Sequence, residues 1–399
     1  MKKIAPARRA PKAVSLPIPS AQTAGTGAGK GSSYPFRVFV SYSHDDKREA
    51  SRLIDALTKL ELRPYWDEDI DPGMPFTDAI KGLIRHAHLF VPLITRNAQK
   101  RPWVHQETGF AMALNIPVLP VAVKGALPVE MTAQLQALTV APHLTDITEK
   151  LKRVDLERTV TSAPRNPDGL VCVAEQPEER TRMMVANARR VLSLRDHGQI
   201  RQSAVFGTFC IPDADVEEPI WELREGRSQR SPYARKLMRE ERQLFEQHAR
   251  AKGCSLILVP SLSQIEHGPT AVPARLYVLL KFLESMPDDK VRVVASPKAR
   301  HGNLTILGDW FIAESLIPRP GGFVQTVFNW HAPTVLVHMR LFDQQLSGLE
   351  RESEVDPSDS RQAAIAHIRT ALEKHPAYPE FAARMSGSEA RQSPALTER

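Results

Sequence analysis

Cysteine is scarce in this chain: Cys172, Cys210 and Cys254 are the only three in 399 residues. They lie far apart, are odd in number and lack metal-ligand spacing. That pattern excludes a disulfide framework and a thiolate metal cluster, and predicts reduced, buried thiols in a cytoplasmic protein. Long apolar runs are missing too. None reaches the roughly 18 residues needed to cross a bilayer, so no membrane span is expected. The start, MKKIAPARRAPKAV, has no apolar core of a secretory signal; its Arg-bearing, acid-free make-up leaves a transit peptide as a minor alternative. Acidic residues are absent from positions 1–30, where Lys2, Lys3, Arg8, Arg9, Lys12 and Lys30 supply six of the seven net positive charges. The rest of the chain is close to neutral, which argues against a basic nucleic-acid groove. Rich in Pro, Ala, Gly and Ser, residues 1–35 are expected to be a disordered arm. No internal repeat is visible.

What the chain does contain is an alternation of short apolar strands with amphipathic helices, at 42% apolar residues. RVFVSY (37–42) reads as a strand. The helix after it carries Ala50, Leu53, Ile54, Leu57 and Leu60 at helical spacing, with Ser43 or Asp45 able to cap it. RPYW (63–66) is a second brief strand, and DEDIDPGMP (67–75) a loop with a Pro-Gly turn signal. FTDAIKGLIRHA is helical, HLFVPLI (88–94) a buried strand, and RPWVHQETGFAMALN a helix with Pro102 in its first turn. IPVLPVAV is a further strand whose prolines point to a sheet edge, and LTVAPHLTDITEKLKRV adds a last strand and helix. Strands apolar throughout imply burial on both faces, hence a parallel sheet flanked by helices.

The pattern then starts again. Residues 156–168 form a linker by composition. Residues 169–350 carry LVCVA, SAVFGTFCI, SLILVP, VRVVASP, NLTILGDWFIAES and GFVQTVFNW as strand candidates among helices, a second α/β domain. Residues 351–382 are a helical extension with Ala364, Ile365, Ile368 and Leu372 on one face, and 383–399 a disordered tail.

Four ordered motifs in residues 36–155 resemble the TIR (Toll/interleukin-1 receptor/resistance protein) family. VFVSYSHDD is similar to its first signature and YWDEDIDPGMPF to its second, the BB loop. HLFVPLIT matches its third strand, and WVHQETGFAMALNIPVLPV the W-x-x-x-E helix and strand of enzymatic members. The resemblance implies a flavodoxin-like α/β fold and cleavage of NAD+ between nicotinamide and ribose, with NAD+ as substrate and no bound cofactor. Nicotinamide in NAD+ is already cationic and departs neutral, so no general acid has to protonate it, unlike the two-carboxylate glycosidases. One fixed carboxylate suffices to stabilise the oxocarbenium-like ribosyl group. Glu107 is that candidate. It lies a turn into a helix at the carboxyl side of the sheet, where open α/β sheets bind ligands, and the helix start would favour its ionised form. Trp103, four residues earlier on the same face, could wall the ribose site. The bland alternative is an ordinary helix-start acid beside a core tryptophan.

By the same resemblance Ser43 and His44 line the NAD+ pocket. Many family members place Arg or Lys here; this chain has His44, with Lys47 and Arg48 nearby. Asp71, before Pro72-Gly73, matches a ligand-contacting BB-loop acid; its alternative is a solvated turn residue. His86 and His105 read as ordinary helix or surface residues. The family works by self-association of TIR domains, so residues 169–350 would sense an unknown trigger ligand or protein and drive assembly. The resemblance also implies antiphage defence or stress signalling. A non-catalytic adaptor binding other TIR domains is the alternative.

In the second half, RVVASPKARHGNLTILGDWFIAES is faintly similar to the second half of a phospholipase-D-like domain. Asn303 stands where that motif has lysine, and Asp309 is eight residues after His301 rather than seven. That implies a degenerate, non-catalytic version and argues against phosphodiester cleavage or nucleic-acid binding. Trp330 and His331 are a ligand rim or, alternatively, core.

Overall fold

β1 (Arg37–Ser41) is the strand around which the first half is built, and all five of its residues are buried. A strand covered on both faces can be apolar throughout only if helices lie above and below it. The computed structural model describes residues 36–66, 76–126, 135–163, 170–194, 197–204, 207–212, 232–258, 271–296, 303–316, 325–354 and 356–392. The expected disordered arm (1–35), Asp71 with most of the BB loop, His301 and residues 393–399 lie outside them.

β1 pairs in parallel with β2 (Arg63–Tyr65) on one side and β3 (Leu89–Ile94) on the other. β4 (Val121–Val123) and β5 (Leu138–Val140) extend the sheet in the order β2-β1-β3-β4-β5, all parallel. The helices are α1 (Lys47–Lys59), α2 (Phe76–Arg85), α3 (Pro102–Ala113), α4 (Ile147–Lys152) and α5 (Leu156–Thr161). Of the predicted stripe on α1, Ala50, Leu53 and Leu57 are buried, joined by Ala56, while Ile54 and Leu60 are partly buried; each large apolar side chain fully covered contributes about 1.5–3 kcal/mol.

Three expectations need correction. β4 is interior, not an edge. Its prolines fall outside the strand and serve the sheet as acceptors: Phe90 N–H donates to the Pro117 carbonyl (2.9 Å) and Leu138 N–H to that of Pro120 (2.8 Å). A proline lacks a donor, but not an acceptor. The expected linker 156–168 opens with helix α5, whose Asp155 side chain caps it by accepting from Arg158 N–H. Cys172 is exposed, while Cys210 and Cys254 are buried as expected.

The second half is a mixed sheet. Its strands are β6 (Val171–Ala174), β7 (Ile200–Ala204), β8 (Cys254–Leu258), β9 (Val291–Ala295), β10 (Asn303–Leu307), β11 (Phe311–Leu316) and β12 (Gln325–Asn329), in the order β6-β12-β11-β10-β7-β8-β9. β7, β8 and β9 run parallel; the others pair antiparallel. SAVFGTFCI is not one strand: β7 stops at Ala204, and Thr208–Cys210 is a 3-10 turn. The covering helices are α6 (Pro177–Leu192), α7 (Pro232–Lys252), α8 (Ala271–Ser285), α9 (Ala332–Glu352) and α10 (Ser360–Glu373). Ala364, Ile365, Ile368 and Leu372 of α10 are buried, as their spacing predicts. α11 (Tyr378–Gln392) runs past 382, where composition suggested that a disordered tail begins. Phe381 within it is buried against Ala274 and Val278 of α8, and that packing holds the helix.

The two halves meet at the amino-terminal end of β1. The turn Gly308–Trp310 between β10 and β11 reaches it; Gly308 has φ +60°, and a Cβ there would sit 3.2 Å from the Gly198 nitrogen, so the turn requires glycine. Asp309 in this turn accepts from both Arg37 and Arg63. The Arg37 guanidinium also lies 4.2 Å from the Trp310 ring centre, and the His86 ring packs on the same indole with ring centres 5.1 Å apart. Asp309, suggested by the phospholipase-D-like likeness, is therefore a buried counter-ion. Trp330 and His331 are not a ligand rim. Trp330 donates to Asn187 Oδ1 (2.8 Å), and His331, fully buried, bonds Thr334 Oγ1 (2.8 Å) and the Asn115 carbonyl (3.3 Å).

Candidate active site

The carboxyl ends of β1 and β3 and the start of α3 converge on Glu107. Pro102 sets the first turn of α3, with φ suited to the helix and no amide hydrogen to leave unpaired. Val104, Thr108 and Ala111 turn inward and pin the helix to the sheet. Glu107 follows on the same side and is 6% exposed. Its Oε2 accepts from the hydroxyl of Ser41, the last residue of β1, at 2.5 Å. Glu107 is in the second turn of α3, whose first turn holds no acid. The expected help from the helix start is therefore weak, because that field falls off within the first turn. The ordinary helix-start explanation for this acid falls with it. A carboxylate this far from water is held instead by a hydrogen bond.

Trp103 is half-buried and packs against the cluster of Phe39, Ile80, Ile84, Phe90 and Ala111. The core alternative for this residue is thus part of the structure. Ser43 is 3% exposed, and its hydroxyl finds no partner among the described residues. It makes no helix-capping bond, contrary to the capping alternative. His44 is exposed on the same loop, with its ring centre 6.0 Å from that of Tyr42. His105 is half-buried on α3. His86 is no ordinary surface residue: it sits in the contact with Trp310 and its Nε2 lies 3.0 Å from Arg190 Nη2.

Sequence reasoning missed three groups. Ser41 was taken only as strand. Asp46, 5% exposed, accepts from Thr95 Oγ1 (2.5 Å) and Asn97 Nδ2 (2.8 Å), so it ties the loop after β1 to the loop after β3. Tyr42 and Trp66 bring their rings within 5.9 Å at the ends of β1 and β2. The signal for Ser41, Tyr42 and Asp46 lay in the polar run SYSHDD at the end of an apolar strand, which an open parallel sheet places at its ligand-binding edge.

Residues 38–155 match the family model described as the TIR domain, and with the five-stranded parallel sheet they are a TIR domain. TIR domains in general serve as NAD-cleaving enzymes or as adaptors. No curated protein matches the chain. Among solved structures it is similar to TrmBL2, an archaeal chromatin protein described as showing a novel mode of DNA binding, at 11% identity and a TM-score of 0.27, over 45% of this chain. The alignment spans 54% of the TrmBL2 chain, and a likeness this low carries no argument about fold or function. Among the described residues no helix is long and apolar enough to cross a membrane.

Proposed function

We propose that this protein is an NAD+ glycohydrolase of the TIR type, with Glu107 as its catalytic carboxylate. One observation carries the reading: a buried carboxylate at the carboxyl edge of a parallel sheet, held by a serine hydroxyl at 2.5 Å. The bond between ribose C1′ and the pyridinium nitrogen breaks, and its electron pair goes to that nitrogen, so nicotinamide departs neutral. The positive charge left on the ribosyl group is stabilised by the fixed anion beside it. Water then adds at C1′ and loses a proton to give ADP-ribose; addition of an adenine nitrogen instead gives the cyclic product. Trp103, Ser43 and His44 border this site on the ribose and phosphate sides, and the family resemblance assigns Asp71 a ligand contact. Self-association of TIR domains activates the enzyme, and residues 169–350 supply the trigger-sensing part. Its setting is antiphage defence or stress signalling in the cytoplasm.

The test is nicotinamide release by the full chain over a range of protein concentrations, with and without a crowding agent. The wild type releases nicotinamide under associating conditions, whereas Glu107→Gln and Glu107→Ala do not, while keeping their fold. Turnover by Glu107→Ala at the wild-type rate would remove the reading. A wild type silent under every associating condition favours the adaptor.

A further inference from the structure

We infer that Ser41 is a positioning residue for the Glu107 carboxylate; this rests on the proposed NAD+-cleaving function. Ser41 is 2% exposed and closes β1. β1 is flanked on both sides, and Ser41 itself sits in register with Pro92 of β3, so its backbone is fixed by the sheet. Glu107 comes from a different element, 66 residues on, and α3 packs against both β1 and β3. The 2.5 Å bond is therefore a strut between a buried strand paired on both sides and a side chain with three rotatable bonds.

A glutamate side chain in search of its geometry would have to be ordered as the transition state forms, and that ordering works against the rate. A hydroxyl donating to a carboxylate makes the short, strong kind of hydrogen bond. It occupies one of the roughly four lone-pair sites of the carboxylate, so it orients the group and still leaves it able to face a ribosyl cation. The strut acts on a step in which charge develops, more than on binding of the ground-state nucleotide. Its loss falls on kcat rather than KM.

Steady-state NAD+ cleavage by the full chain under associating conditions tests this, with wild type and Glu107→Gln as reference arms. Ser41→Ala lowers kcat by about 10- to 100-fold, the scale of a small misplacement of a catalytic group, with KM changed less than about twofold. Ser41→Thr, which keeps the hydroxyl, restores most of kcat. Ser41→Cys keeps the volume but offers only a weak donor, and it reads the same loss if Ser41→Ala fails to fold. Ser41→Ala or Ser41→Cys turning over at the wild-type kcat overturns the assignment of Ser41 alone. So does an equal loss in Ser41→Thr and Ser41→Ala, which would mark packing rather than the hydroxyl. Absence of turnover in the wild type overturns the enzyme reading itself, and Ser41 with it.

Discussion

Arg37 and Asp309 are 272 residues apart in sequence and form a buried ion pair, with Arg37 Nη2 also donating to the Asp309 carbonyl at 2.9 Å. Arg37 further donates from Nε to the His86 carbonyl (2.6 Å), and its backbone N–H to His88 Nδ1 (2.9 Å). Arg37 thus starts the strand that ends at Ser41, so the contact between the two halves and the candidate catalytic carboxylate sit at opposite ends of β1.

Removing Asp309 leaves Arg37, 1% exposed, as a buried cation without its counter-charge. Asp309→Asn is expected to destabilise the protein by about 3–5 kcal/mol, the usual loss when one partner of a buried pair is deleted. Arg63→Met costs less, because Arg63 keeps 17% of its side chain in solvent. Urea denaturation of the three proteins gives the order directly.

Acidification weakens the fold in two stages. Burial lowers the pKa of His86 to about 3, helped by Arg190 and Arg37, and burial takes His331 and His248 to about 4. These histidines are neutral in the folded state. Their contribution is complete above pH 6.5 and is lost as pH falls from there toward the folded values, because the unfolded chain takes up protons first. Asp309 behaves differently: burial raises its pKa, but Arg37 and Arg63 outweigh that and hold it at about 2. Its contribution is complete above about 3.8 and lost only as pH falls toward 2. The melting temperature should therefore drop between pH 6.5 and 4 while the Arg37–Asp309 pair is still ionised. His86→Gln, which cannot charge, should flatten part of that drop.

Trp103 packs against the core and borders the proposed site. Trp103→Ala is expected to cost about 2 kcal/mol, less than the roughly 3–5 kcal/mol of a fully buried aromatic, since the ring is half-buried. Trp103→Phe keeps most of the packing and raises KM for NAD+ if the indole lines the ribose. Paired denaturation and kinetic measurements separate the two effects.

Specific activity should climb with protein concentration, since self-association of TIR domains is the proposed activating step. A rate per molecule that stays flat from dilute to concentrated protein, with light scattering showing association, would count against activation by assembly.

Much of the first half was legible because its signals are local. VFV inside β1 and LFVPLI are apolar throughout, which only a strand buried on both faces tolerates, and Leu53 and Leu57 mark the inner face of α1. Trp103 and Glu107 share a helical face by spacing alone, and the motifs around them match the TIR family over residues 38–155. Where local signals were read too literally, they misled. Pro117 and Pro120 suggested an edge that β4 is not, and the help expected from the helix start is weak for Glu107, one turn into α3.

The sequence by itself determined the alternation of elements and the parallel sheet, because hydrophobic periodicity acts over a few residues, while the candidate carboxylate came from the resemblance of its motif to the TIR family. Only the tertiary structure decided that Ser41 holds Glu107, that Asp46 joins two loops, and that Asp309 neutralises Arg37. Those partners are separated by 49 to 272 residues. A polar side chain carries no mark of which distant group will meet it; folding brings the two together, and the cost of burying either one alone keeps them paired.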